Sequence, residues 1–259
     1  MLRDPPLRVA LLCSRRAPGL EFLLDRDPRR GKIYDIVALV TSDPECTAHV
    51  RSGDGPPLLV NDIRAFYTRA GTRLSDLGPR PDYDRGTVRL LEPFKPDLVV
   101  LCGYLHIVTP PLLDAYSGRM VNIHDSDLPR YPGLHATRDA VIAGERETRS
   151  SVHVVVPEVD AGPGLFRSWP FPVHELVDAA RREGRTDILK AYAYAQREWM
   201  MVASWGPLLA AAIDAFAHDR VRVRNGGSLI AGLPGPRDLR PEEDWWSRGA
   251  GVPPVASVA

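Results

Sequence analysis

Lysine is nearly missing from this sequence, with only Lys32, Lys95 and Lys190 among 33 basic residues, so arginine carries almost all the positive charge. The 33 acidic residues balance it to a net charge of zero. No basic face or stripe is obvious, which argues against a nucleic-acid binder and against a nucleic-acid partner. Cysteine is also scarce. Cys13, Cys46 and Cys102 are odd in number and widely spaced, which is no disulfide framework, and two of them sit in apolar runs that read as buried strands. Reduced core thiols are the expectation. No uninterrupted apolar stretch approaches the length needed to span a bilayer, and the opening Met1–Pro6 lacks the apolar segment of a signal peptide. A cytoplasmic setting without a membrane partner follows as an expectation. Finally, no Gly-x-Gly-x-x-Gly follows the first apolar run, which counts against a dinucleotide oxidoreductase.

What is present is an ordinary globular composition. Hydrophobic residues make up 44% and charged residues 25% of 259 positions, enough to bury one large core. Leu7–Leu12 reads as a buried strand, then a turn and a short helix at Leu20–Leu24. Ile33–Thr41 is a second strand, and 96–103 is the strongest one, a continuous β-branched run between Pro96 and Gly103. Runs apolar on both faces predict a parallel sheet covered by helices. Helical spacing appears at Asn61–Ala70, Tyr83–Leu91, Pro111–Tyr116 and His135–Ala143, with strands at Met120–Ile123, Ser151–Val156 and Leu165–Val173, and one long helix over Asp187–Ala217. Residues 1–224 form the expected catalytic body. From 225 to 259 the composition turns to Gly, Pro and charge, with Trp245-Trp246 as its large apolar pair, and a tail is predicted.

Polar groups crowd the turn after the Met120–Ile123 strand, Asn122-Ile123-His124-Asp125-Ser126-Asp127-Leu128-Pro129, continuing to His135. Carboxyl ends of strands in open parallel sheets border crevices that hold ligands. In an extended segment Asn122 and His124 point the same way, so an amide donor and an imidazole converge on one atom, an arrangement suited to an oxyanion. Val159-Asp160-Ala161-Gly162-Pro163 is a second loop, able to bring a carboxylate beside His124 and favour its imidazolium. Taken alone, Asn122 could cap a turn and Asp160 could serve only the Gly-Pro turn that follows it.

The segment from Asn122 to His135, with Ser151-Val152-His153 and Asp160-Ala161-Gly162-Pro163 downstream, closely resembles the folate-dependent glycinamide ribonucleotide formyltransferases of purine biosynthesis. The likeness runs over roughly 7–173 and the following helix. It implies an open, mainly parallel Rossmann-like α/β sheet with helices on both faces. It also implies a one-carbon transferase with 10-formyltetrahydrofolate as formyl donor, no metal, and a small-molecule amine as acceptor; a homodimer is an admissible assembly. By the resemblance, Asn122 and protonated His124 stabilise the tetrahedral oxyanion, and Asp160 orients His124, raises its pKa and helps move protons. His135 and His153 support them. Leu105, His106, Ile107, Val108, Glu158, Val159, Ala161 and Gly162 line the folate pocket.

The resemblance breaks at the loop after the first strand. Where the family has a Gly-rich phosphate cradle, this chain has Ser14-Arg15-Arg16-Ala17-Pro18-Gly19, whose Pro18 removes an N–H donor. Arg15 and Arg16 could instead grip a phosphate or carboxylate with their side chains, and Glu198 is the candidate for the family's acceptor-contacting glutamate. The acceptor is therefore expected to be glycinamide ribonucleotide or another small amine, such as an amino-sugar or amino-acid derivative. Hydrolysis of formyltetrahydrofolate and a catalytically inactive ligand-binding relative are the competing readings.

Overall fold

The computed structural model describes residues 5–48, 55–224 and 227–240. The amino-terminal half alternates β1 (Leu7–Cys13), β2 (Tyr34–Thr41), β3 (Leu58–Val60), α1 (Ile63–Ala70), α2 (Arg80–Leu91), β4 (Leu98–Leu101), α3 (Pro110–Ala115), β5 (Met120–His124) and α4 (Ala136–Ala143). Then follow β6 (Glu147–Thr148), β7 (Ser151–Val154), β8 (Gly164–Arg167), β9 (Phe171–Pro172), α5 (Val177–Arg182), α6 (Thr186–Met200) and α7 (Gly206–Ala217), and finally β10 (Val221–Arg224), β11 (Gly227–Ile230), β12 (Leu233–Pro234) and β13 (Arg237–Asp238).

Eight strands make the main sheet in the order β13-β8-β7-β5-β4-β1-β2-β3. From β3 to β5 every pairing is parallel; β7 then enters antiparallel to β5, and β8 antiparallel to β7. The sheet is thus the mainly parallel one expected. Its apolar strands explain the layering. Alternate residues of a strand face opposite sides, so Val9, Leu11, Leu98 and Val100 join Leu208, Leu209 and Ile213 of α7 in one core. Ala10, Leu12, Val99 and Leu101 join Leu91 and Leu112 in the other. Local signals set the helix ends: the Asp62 side chain accepts the Ala65 N–H at 3.0 Å at the start of α1, and Gly71 ends that helix at φ 67°.

Several expectations are revised. The helix expected at Leu20–Leu24 is present but passes into a π-helical turn over Phe22–Arg26, wedged so tightly against α7 that a Cβ on Gly206 would lie 2.4 Å from the Phe22 Cβ. Leu165–Val173 is not one strand: Ser168-Trp169-Pro170 divides it, and its second part, β9, leaves the main sheet to pair with β6. The long helix over Asp187–Ala217 is interrupted by a π-helical turn at Met201–Trp205. The run Thr186–Ala217 is long and apolar enough to cross a bilayer, contrary to the expectation, but 72% of its most apolar stretch is buried within the protein, as a core helix requires. Part of the predicted tail is built into the sheet. β11 pairs with β10 and β12, β13 adds parallel to β8, and Leu239 packs against the core. Trp245-Trp246 lies outside the described residues.

Candidate active site

Asn122 stands opposite His153, and His124 opposite Ser151, in the antiparallel pairing of β5 with β7. Opposed and alternate residues share a sheet face. The side chains of Asn122, His124 and His153 reach one cleft of about 310 Å³ at the carboxyl ends of β4 and β5, which Asp160 and Arg197 also line.

Asp160 is delivered by the loop that leaves β7, in the left-handed region at φ 54°. The loop can fold back there because residue 162 is glycine: a Cβ would lie 1.7 Å from the Val154 carbonyl oxygen. The Asp160 carboxylate bridges both histidines. Its Oδ2 lies 3.6 Å from His124 Nδ1 and accepts the Gly133 N–H at 2.8 Å, while its Oδ1 lies 3.7 Å from His153 Nε2. The Pro132-Gly133 turn thus holds the carboxylate in place.

The partners of each imidazole define its proton pattern. His153 Nδ1 lies 3.1 Å from the Val154 carbonyl, which can only accept, so that nitrogen donates. Burial pushes the His153 ring down to about 4, against the opposing pull of Asp160, and the neutral ring leaves Nε2 as an acceptor for the Asn122 amide nitrogen at 3.2 Å. That contact fixes the Asn122 amide with its NH₂ towards His153, and its second N–H has no hydrogen-bond partner among the described residues. His124 is different: Nε2 lies 3.2 Å from the Tyr131 carbonyl and Nδ1 faces Asp160, so both nitrogens meet oxygens that can only accept. Tyr131 takes φ 55° to aim that carbonyl. Next to His124, the nearly buried Asp125 carboxylate is ion-paired with Arg197 of α6.

Leu105, His106, Ile107, Val108, Glu158 and Val159 all line the same cleft. Four large apolar side chains on its walls, Leu105, Ile107, Leu134 and Val159, are between 43% and 73% exposed, an unusual concentration of solvent-facing apolar surface that suits a flat, mostly apolar ring system. His106 is anchored by its Nε2 to the Ser42 hydroxyl at 3.0 Å, and burial pushes it down to about 4. Ala161 and Gly162 do not line the cleft; Gly162 packs behind it on β7.

The residues expected at the acceptor side are placed otherwise. Ser14 is buried, and its hydroxyl accepts the Leu105 N–H at 3.1 Å and the Ser42 hydroxyl at 3.0 Å, a structural junction between β1, β2 and the loop after β4. Arg15 pairs with Glu45, and Arg16 pairs with Glu198 through both guanidinium NH₂ groups. None of these four lines the cleft. His135 is exposed at the start of α4 and also stands outside it. The cation that does line it is Arg197, one residue before Glu198; with Trp205 it escaped the sequence reading, because helical phase across an interrupted helix cannot be read from spacing alone.

A formyl transferase family model matches residues 7–175, a span that contains every residue of the Asn122–His124–His153–Asp160 cluster. The chain belongs to that family. Similarity to individual formyl transferases agrees. The chain is 31% identical over 175 residues to the phosphoribosylglycinamide formyltransferase of Mycobacterium tuberculosis, a match covering 66% of this chain and 75% of that one. It is 34% identical over 165 residues to the trifunctional purine biosynthetic protein adenosine-3 of Drosophila melanogaster, covering 62% of this chain but only 11% of that protein's length. The solved phosphoribosylglycinamide formyltransferase of Coxiella burnetii shares the fold at 22% identity and a TM-score of 0.65, covering 91% of this chain and all of that one.

Proposed function

We propose that this formyl transferase moves the formyl group of 10-formyltetrahydrofolate to a primary amine, either glycinamide ribonucleotide or a related small amine, as a cytoplasmic enzyme of purine biosynthesis and one-carbon metabolism. The observation that carries the reading is the Asp160 carboxylate, which faces His124 and His153 at 3.6 and 3.7 Å while Asn122 keeps a free N–H beside them.

In this proposal the apolar walls around Leu105, Ile107 and Val159 receive the folate ring. Asn122 donates its free N–H to the formyl oxygen as the amine attacks, and the His124 imidazolium meets the same developing negative charge. Two such donors fixed in advance act on charge that appears only on the way to the tetrahedral intermediate, where each is worth about 10²–10³ in rate. One C–N bond forms to the acceptor and one breaks to the folate. The proton lost by the attacking nitrogen reaches the leaving nitrogen by way of water held on Asp160. His153 stays neutral and serves to orient Asn122.

The test is to incubate the protein with 10-formyltetrahydrofolate and a panel of amines and follow folate release by absorbance. Turnover with glycinamide ribonucleotide is the expected result. Turnover without any amine would make the enzyme a hydrolase, and absence of both turnover and folate binding would overturn the proposal.

A further inference from the structure

We propose that Cys13 and Cys46 form an oxidant-sensitive dithiol that closes to a disulfide and, through Ser14 and Ser42, alters the cleft wall at Leu105 and His106. The two sulfurs lie 3.8 Å apart, one at the end of β1 and the other in the loop after β2. A disulfide has its sulfurs about 2.05 Å apart, so bridging requires a displacement of roughly 1.8 Å, within the reach of a loop but not without consequence for what it touches.

The two thiols have unequal roles. Cys46 is partly exposed, and its sulfur accepts the Ala48 N–H at 3.4 Å, so it is the thiol that solvent-borne oxidants reach. Cys13 is fully buried, and burial pushes its thiol well up, so it is a poor first target. A hydroperoxide therefore oxidises Cys46 first: the sulfur gains one oxygen as a sulfenic acid and the peroxide leaves as an alcohol or water. The Cys13 sulfur then attacks that sulfur, the S–S bond forms, and water departs carrying the sulfenic oxygen and the Cys13 proton. Cys102 is committed elsewhere, donating its S–H to the Pro18 carbonyl at 2.9 Å.

The path to the cleft is short. Ser14, next to Cys13, holds the Leu105 N–H and the Ser42 hydroxyl, and Ser42 holds His106. The loop of Cys46 is tied to the same place by the Thr47 N–H, which donates to the Arg15 carbonyl at 2.8 Å. Drawing the sulfurs together shifts this junction.

Treating the reduced full-length protein with hydrogen peroxide should remove two hydrogens from the intact mass and link the tryptic peptides Val9–Arg15 and Ile33–Arg51, in wild type and in Cys102→Ala alike, but not in Cys46→Ser. Hydrogen exchange over Leu105–Val108 should change in the bridged protein and return on adding dithiothreitol. These readouts need no catalytic activity. A bridge that involves Cys102, no bridge at all, or a Cys13–Cys46 bridge with unchanged exchange at Leu105–Val108 would overturn the proposal.

Discussion

The Gly133 backbone N–H donates to the Asp160 Oδ2, the oxygen that faces His124 Nδ1. A turn on one side of the cleft thereby locks the carboxylate delivered from the other, and the proton chemistry proposed for Asp160 depends on that lock. Asp160→Asn keeps the size of the side chain and removes its charge. The variant should lose about 10²–10⁴ in kcat with little change in the KM of the formyl donor; a rate within threefold of wild type would remove Asp160 from the proton path.

Asn122→Ala and His124→Ala should each cost about 10²–10³ in single-turnover rate, with circular dichroism unchanged. Because both act on one oxygen, the double variant should lose less than the product of the single losses. Multiplicative losses would assign the two side chains to separate steps.

Gly162→Ala tests the loop rather than the chemistry. The methyl group would collide with the Val154 carbonyl, so the loop must move away from β7 and Asp160 must move with it. A loss of about 3 kcal/mol in urea unfolding, together with a fall in activity, is expected. Unfolding at the wild-type midpoint would mean that the loop finds another path.

His153 and His106 are both buried with their rings held down to about 4. Between about pH 4 and the ordinary histidine value near 6.5, the unfolded chain binds protons at these positions that the folded chain does not. Stability contributed by the neutral rings is therefore present above about 6.5 and is lost as pH falls towards 4. Urea midpoints measured from pH 7.5 to 4.5 should decline, and His153→Gln should flatten the decline; an identical slope in the variant would exclude His153 as its source.

The sheet and the catalytic cluster were legible in the sequence because both rest on local pattern. The apolar run through Leu98–Leu101 and the two-residue spacing of Asn122 and His124 each fix a strand and a face without help from distant residues. Asp160 was legible through its Gly-Pro turn, although its contact with His153 as well as His124 depends on the antiparallel return of β7, which no spacing records. The acceptor side was not legible: Arg16 and Glu198 find each other across 182 positions, and Arg197 rather than Glu198 reaches the cleft. Nor was the fate of 227–240, where short strands between Gly and Pro residues owe their place to Ile230 and Leu239 packing on the core and to pairing with strand edges, which local pattern does not record.

The π-helical turn at Met201–Trp205 absorbs a change of helical phase. Each residue advances an α-helix by about 100°, and one π turn takes up the equivalent of a single inserted residue. Upstream of it, α6 turns Arg197 and Glu198 to Asp125 and Arg16; downstream, α7 turns Leu208, Leu209 and Ile213 to the sheet. Val202, at the crest of the turn, is 86% exposed, so removing it costs little packing. Because the turn takes up that residue, its deletion would restore an even α-helical pitch with Arg197 still at the cleft and the core face of α7 where it is. The extra residue is therefore absorbed locally, and helicity through 201–205 can rise without turning either functional face of the helix.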